Sequence, residues 1–137
     1  MTAAGPELDQ SRLLSGHRAD VPWLPAPAGD IGRNQWSVMA NNDLTAWAGP
    51  WGVSYAANLT PDVSGLGSWT PEMFIRTMRT GRHLGVGRSI LPAMPWMKIR
   101  FLLTDEDLRA MFAYLQSLPA VPNLVPAAVP ASGDPAP

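Results

Sequence analysis

The stretch from Thr104 to Leu118, TDEDLRAMFAYLQSL, gives the clearest indication of fold in this sequence. Thr104 followed three positions later by Asp107 is a capping box with Asp in place of the usual Glu. The apolar residues that follow recur at i, i+3, i+4, i+7 and i+10, namely Leu108, Met111, Phe112, Leu115 and Leu118. This spacing predicts a helix that ends near Ser117, before Pro119, and presents one continuous apolar stripe.

A second helix is predicted upstream, over residues 71–80. Thr70 is an N-cap residue, Pro71 suits the first helical position, and Gly81 suits the position after the last turn. One face of this helix is apolar, with Phe74, Ile75 and Met78. The chain therefore contains two amphipathic helices.

The rest of the sequence is rich in loops, since 15 of the 137 residues are proline and 12 are glycine. Between residues 34 and 60 we expect a short hairpin that turns at Asn41–Asp43. Residues 81–103 contain enough Gly and Pro to predict an irregular loop. We expect Met1–Ala28 to be extended, with Ser11–His17 as its most structured part, and residues 119–137 to be a disordered tail.

Composition excludes several classes of function. The net charge is −1 and the basic residues are scattered, so nucleic acid is not an expected partner. Residues 1–20 lack the pattern of a signal peptide, and no apolar run approaches the ~18 residues of a membrane span. The chain has no cysteine, which rules out disulfides, thiolate zinc sites, iron–sulfur clusters and thioether-linked haem within it.

The segment LPAMPW, residues 91–96, is the most distinctive candidate for chemistry. Most of the seven methionines and six tryptophans are expected to fill an irregular core. Met94 differs because Pro92 and Pro95 restrict the backbone on either side of it. Thioether sulfur is a soft ligand that suits haem iron or copper(I), so Met94 is a candidate metal ligand.

The two histidines do not form a recognisable metal pattern. His17 and His83 are far apart in the chain, and only Asp20 follows either of them closely. His83 lies just past the end of the predicted helix 71–80, where capping of the last backbone carbonyls is the simpler role. The sequence also has no G-x-S-x-G elbow and no P-loop, so hydrolase and nucleotide-enzyme functions have no support.

Three segments in this order resemble the central and C-terminal parts of bacterial class I c-type cytochromes. They are TAWAGPWGVSYAANLTPD (residues 45–62), GLGSWTPEMFIRTMRTGRHLGVGRSILPAMPW (65–96) and LTDEDLRAMFAYLQSLP (103–119). The opening GPELDQSRLLSGH, residues 5–17, is similar to the segment that follows the haem attachment site of that family. The resemblance implies a mainly α, class I cytochrome c-like fold with long loops and a small β-hairpin insertion.

The resemblance also implies a haem c cofactor with Met94 as the distal iron ligand. Pro92 and Pro95 would shape the ligand loop, and Ala93 replaces a proline that the family often has there. Met97 is the competing sulfur, but the motif match selects Met94. Four further residues lie in stretches that would wall the haem or bond its propionates, namely Trp51, Tyr55, Asn58 and Arg88.

The chain departs from the family in lacking the Cys-x-x-Cys-His motif that attaches haem and supplies the proximal histidine. We expect the natural protein to extend upstream, with the signal peptide, the N-terminal helix and the haem motif all in that extension. Residues 1–118 would then be an N-terminally incomplete cytochrome domain of the periplasm. Its partners would be a dehydrogenase donor and an oxidase or other acceptor, with association with a membrane complex, and it would carry electrons rather than catalyse a reaction.

In this family the C-terminal helix crosses the missing N-terminal helix. Burial of the five stripe residues is worth ~8–15 kcal/mol, comparable to the net stability of a whole domain. We therefore expect the isolated chain to expose the stripe and to be marginally stable.

Two other functions remain open. One is a haem-free interaction module on a decayed cytochrome scaffold, whose exposed stripe and tryptophans bind another protein. The other is a non-covalent haem held by Met94 together with His83 or His17.

Overall fold

The computed structural model describes residues 8–21 and 38–130. In these ranges the helices are α1 (Pro71–Thr80), α2 (Trp96–Leu102) and α3 (Asp105–Ser117). Both predicted helices, α1 and α3, are confirmed with their caps. The Thr70 hydroxyl accepts from the Met73 amide at 3.2 Å, and both hydrogen bonds of the Thr104–Asp107 capping box are present.

The core lies between α1 and α3. Phe74, Ile75 and Met78 of α1 pack with Leu66 and with the buried apolar residues of α3, which are Leu108, Phe112 and Leu115. The rings of Phe74 and Phe112 are 5.4 Å apart between centroids. The expectation that the α3 stripe is exposed is therefore wrong for three of its five residues, because α1 covers them. Leu118 packs at the edge of this core, and Met111 remains 38% exposed.

Helix α2 corrects the prediction that residues 81–103 are irregular throughout. Residues 96–102 contain neither Gly nor Pro, and Ile99 and the following Leu103 pack against the α1–α3 core. The Arg79 guanidinium of α1 donates to the carbonyl oxygens of Arg100 and Leu103, which lie at the end of α2. Tertiary contacts thus stabilise a helix that is too short to show a clear period.

Besides the helices, the described residues form a four-stranded antiparallel sheet. Its strands are β1 (Met39–Ala40), β2 (Ala46–Gly49), β3 (Gly52–Tyr55) and β4 (Val129–Pro130), in the order β1-β2-β3-β4. The predicted hairpin is confirmed between β1 and β2, where the Asn41 side-chain oxygen accepts from the amides of Thr45 and Ala46. Strands β3 and β4 enlarge the predicted hairpin into a sheet.

The segment after α3 is folded, which contradicts the predicted disorder for residues 119–130. Asn123 is 7% exposed, and its side-chain NH₂ donates to the carbonyls of Ser15 and His17 at 2.7 and 2.8 Å. Its side-chain oxygen accepts from the Ala19 amide. Side-chain hydrogen bonds of this kind order the part of this proline-rich segment that precedes β4. The rest of the predicted tail, residues 131–137, lies outside the described residues.

The N-terminal region follows the prediction in part. Gln10–Arg12 forms a 3₁₀ turn, and Ser15 and His17 are buried, as expected of the most structured part of this region. Residues 1–7 and 22–28 of the predicted extended segment lie outside the described residues. The assignment to a class I cytochrome fold and the domain boundary at residue 118 stay predictions.

No helix within residues 8–21 and 38–130 is both long enough and apolar enough to cross a bilayer.

Candidate functional site

Met94 lies on a tight loop that connects the region after α1 to helix α2. Pro92 and Ala93 form the centre of a turn, and Ala93 has a φ of 78°, in the left-handed region. A φ near +80° at the third residue, after Pro at the second, is the pattern of a type II turn. Pro95 follows Met94 as the N-cap of α2. Met94 is 39% exposed, so its thioether is accessible to a ligand.

The sheet holds the N-terminal side of this loop. Ser54 of β3 is 6% exposed, and its hydroxyl donates to the carbonyl oxygen of Pro92 at 3.0 Å. The indole N–H of Trp51 in turn donates to the Ser54 oxygen at 3.3 Å. The backbone two residues before Met94 is therefore tied to the β2–β3 hairpin.

The residue that follows α1 holds the C-terminal side of the Met94 loop. Gly81 follows α1 with a φ of 66°, and a Cβ atom at this position would lie 2.5 Å from ring carbons of Trp96. The ring of Trp96 therefore packs directly on the Gly81 backbone, whose carbonyl also accepts from the Ile90 amide at 2.8 Å. Met94 thus lies between two residues that tertiary contacts hold in place, Pro92 and Trp96.

The structure places the other predicted site residues in different surroundings. Trp51 belongs to the network that holds the Met94 loop, whereas the ring of Tyr55 lies 4.7 Å from that of His17. Arg88 is exposed, and its carbonyl accepts from the His83 amide. Asn58 is 4% exposed in a separate network.

The Asn58 side chain is occupied by hydrogen bonds within the chain. Its NH₂ donates to the Ser64 hydroxyl and to the carbonyls of Val121 and Asn123. Its oxygen accepts from the amide and hydroxyl of Thr60. These contacts give Asn58 a structural role, fastening the segment after α3 to the loop before α1.

The two histidines differ in their surroundings. His17 is 5% exposed, with its Nδ1 3.0 Å from the Thr45 hydroxyl, and burial lowers the pKa of its ring. His83 is exposed and meets Trp69 edge to face at 5.2 Å between centroids. Partial desolvation of its ring, followed by the nearby positive charge of Arg88, also lowers the pKa of His83. Both rings are therefore held toward the neutral form.

Helix α2 has an exposed apolar face immediately after Met94. Met97, Phe101 and Leu102 are 61%, 76% and 77% exposed. The opposite side of the helix faces the core through Ile99. Clustered exposed apolar side chains are typical of surfaces that contact another molecule, so this face is a candidate binding surface.

Haem, which the resemblance implies, takes axial donors and an apolar surface from the protein. Met94 supplies one soft donor, and α2 presents the apolar face beside it in the sequence. No group of three or more His, Cys, Asp and Glu side chains is placed to hold a metal in residues 8–21 and 38–130. The described residues fit the distal half of such a site.

The flanking prolines single out Met94 and the resemblance selects Trp51, but no pattern in the sequence marks Ser54, Gly81 or Trp96 as supports of the loop. Ser54 has no sequence signal, because its contact with Pro92 spans 38 positions and depends on the fold. The glycine after α1 was expected from helix capping, but its contact with Trp96 was not.

Comparisons with known proteins give two similarities. The chain is 38% identical over 89 residues to a nicotinate dehydrogenase subunit of Pseudomonas putida, an alignment that covers 64% of this chain and 7% of that protein. It is 39% identical over 66 residues to the cytochrome c subunit of the quinone alcohol dehydrogenase of Gluconobacter oxydans, which covers 47% of this chain and 13% of that protein. No family model matches the chain. The chain thus spans a small part of each relative, and both relatives are dehydrogenase subunits.

Proposed function

We propose that this chain is the distal part of a haem c electron-transfer domain, in which Met94 would be the distal iron ligand. The observation that carries the proposal is the Met94 loop, which is fixed from both sides while Met94 itself remains 39% exposed. The similarity to the cytochrome c subunit of an alcohol dehydrogenase supports the same function. The proximal histidine and the attachment cysteines of such a domain would be supplied from outside residues 1–137.

The haem, when bound, supplies a ferrous–ferric couple that carries one electron at a time. The residues of this chain would ligate and surround it. As a ligand, the Met94 thioether would favour the reduced iron and so raise the reduction potential. Trp51 and Tyr55 would wall the group, and the exposed cation of Arg88 suits a propionate. Asn58 is the weakest of the predicted haem contacts, because its amide already bonds within the chain.

The similarity to two dehydrogenase subunits also supports the proposed partners. The chain would accept electrons from a dehydrogenase and pass them to an oxidase or another acceptor. It would act in the periplasm, in association with a membrane complex. In this function the chain is an electron carrier and makes no bonds itself.

The test uses a short haem peptide that carries its own Cys-x-x-Cys-His segment and therefore one histidine ligand. Mixed with the 137-residue chain, the peptide is expected to develop the absorption band of methionine–iron ligation. Met94→Ala should abolish this band, and the matched control Met97→Ala should keep it. A wild-type chain that produces no methionine–iron band would contradict the proposal.

A haem-free interaction module is the second candidate, favoured by the exposed face of α2 at Met97, Phe101 and Leu102. The same titration separates the two functions, because an interaction module gives no ligation band. Titration with free haemin tests the third candidate, a non-covalent haem bound by Met94 with a histidine. A Soret shift that survives in the His83→Gln and His17→Gln variants would exclude both histidines as ligands.

A further inference from the structure

Ser54 is the polar contact between the sheet and the Met94 loop. Its hydroxyl has one hydrogen, which is directed to the Pro92 carbonyl at 3.0 Å, and its oxygen accepts from the Trp51 indole at 3.3 Å. Successive hydrogen bonds of this kind polarise and strengthen one another. Ser54 itself is 6% exposed, so water has little access to its hydroxyl.

The Pro92 carbonyl is the group that decides the conformation of the turn. Type I and type II turns differ by a flip of the peptide plane between their second and third residues. In this loop that plane joins Pro92 to Ala93, so the hydrogen bond from Ser54 fixes its direction. Ala93 consequently keeps a φ of 78°, which is unfavourable for a residue with a Cβ atom.

A strained backbone persists only where its surroundings hold it. Two contacts hold this loop, the Ser54 bond before Met94 and the packing of Trp96 on Gly81 after it. The second contact does not constrain the Pro92–Ala93 peptide plane. Without the Ser54 hydroxyl, the unstrained type I turn becomes accessible, and the backbone that enters Met94 changes direction.

We infer that Ser54 is a positioning residue for Met94: its hydroxyl holds the strained turn that places the thioether. The consequence for iron ligation rests on the proposed function, whereas the effect on the position of Met94 does not. Trp51 acts one step further away, by orienting the Ser54 hydroxyl.

The first experiment needs no haem. The full chain is labelled with ¹³C at the methionine methyl groups, and the Met94 and Met78 resonances are followed by NMR. In Ser54→Ala the Met94 resonance should split or move toward its position in the unfolded chain, while Met78 in the core stays in place. The control Ser68→Ala, at an exposed position, should leave both unchanged.

A second variant separates strain from general damage to the fold. Glycine adopts a positive φ without penalty, and Pro-Gly strongly favours the type II turn. The double variant Ser54→Ala with Ala93→Gly should therefore return the Met94 resonance toward that of Ala93→Gly alone. An unchanged Met94 resonance in Ser54→Ala, or a double variant without recovery, would overturn the inference.

The haem peptide then tests the functional consequence. Ser54→Ala should weaken the methionine–iron band, and the added Ala93→Gly should restore it. If the wild-type chain gives no such band, the proposed function fails while the NMR result still decides the position of Met94. If the wild type gives the band and Ser54→Ala keeps it at full strength, the role of Ser54 in ligation is refuted.

Discussion

Ala93 combines a side chain with a backbone conformation that favours glycine. Its φ of 78° is imposed by the Pro92–Ala93 turn. A proline, which the cytochrome family often has at this position, would fix φ near −65° and could not adopt this conformation. The backbone of the Met94 loop in this chain therefore differs from that of a loop with proline at position 93.

Removing the Ala93 methyl group should stabilise the protein. The left-handed region costs a residue with a Cβ roughly 1–2 kcal/mol, and the greater freedom of glycine in the unfolded chain offsets part of the gain. We expect Ala93→Gly to raise the free energy of unfolding by about 0.5–1 kcal/mol in urea titrations. Ala113→Gly, at an exposed position in α3, should instead lower it by about 1 kcal/mol. A destabilised Ala93→Gly variant would show that the turn is not strained.

At this scale the sequence predicted the candidate ligand but not its supports. Met94 could be selected because its flanking prolines are local in the chain. The positive φ of Ala93 and the hydrogen bond of Ser54 could not, because each depends on a strand that lies about 40 residues earlier. For Asn58 the resemblance implies a haem contact, which stays a prediction, but it gives no sign that the side-chain amide binds the segment after α3.

Helix α2 is the element for which the prediction from the sequence differs most from the structure. Helices α1 and α3 were predictable because threonine caps and apolar spacing lie within each segment. Helix α2 begins after Pro95 without a side-chain cap and has 7 residues, too few for a period to be recognised. Strand β4 has 2 residues and exists through its pairing with β3. Such elements depend on their neighbours rather than on their own sequence.

Arg79 is the neighbour on which the end of α2 depends. Its guanidinium donates to the carbonyls of Arg100 and Leu103 and to the Asp105 carboxylate, which a lysine ammonium cannot match in geometry. We expect Arg79→Lys to lower the free energy of unfolding by about 1–2 kcal/mol in urea titrations. The exposed Arg109→Lys should change it by less than about 0.5 kcal/mol. Equal effects of the two substitutions would argue against a stabilising role for the hydrogen bonds of the Arg79 guanidinium.

Over the whole molecule, Asn123 joins segments from both ends of the described chain. Its side chain forms hydrogen bonds with the backbone of Ser15, His17 and Ala19, and its backbone N–H donates to the Ser64 hydroxyl at 2.9 Å. The proline content of residues 119–130 predicts disorder because proline disfavours helices and long ladders, and the ladder of this segment is limited to the two-residue pairing of β4 with β3. Proline does not exclude packing through a buried side chain, which composition cannot reveal.

The loss of this side chain should destabilise the fold strongly. Asn123→Ala leaves the buried carbonyls of Ser15 and His17 and the amide of Ala19 without their partner. Since each unsatisfied buried group costs about 1–3 kcal/mol, we expect the free energy of unfolding to fall by about 2–4 kcal/mol. Asn42→Ala, in the exposed β1–β2 turn, is the matched control, with an expected change below about 0.5 kcal/mol. A loss no larger than that of the control would mean that the C-terminal segment does not hold the N-terminal one.

The buried His17 should make the stability of the whole molecule depend on pH. Burial lowers the pKa of His17 below 6.5, and the charge of Asp43 opposes the shift only in part. Below pH 6.5 the unfolded chain therefore binds a proton that the folded chain excludes, so stability falls as pH falls toward the folded pKa. His83 shifts in the same direction. The pKa values of Asp62 and Asp107 are lowered from 3.8 by hydrogen bonds from Ser64 and Thr104, so these carboxylates lose their contribution only at lower pH.

Urea titrations between pH 7.5 and 5 should therefore isolate the histidines. Each histidine can contribute a slope of at most about 1.4 kcal/mol per pH unit. The wild-type free energy of unfolding should decrease over this range, and His17→Gln should flatten the curve whatever its effect at neutral pH. His83→Gln should flatten the curve less, because His83 is exposed whereas His17 is buried. If His17→Gln kept the full wild-type slope, the neutral His17 would not be the group that links the fold to pH.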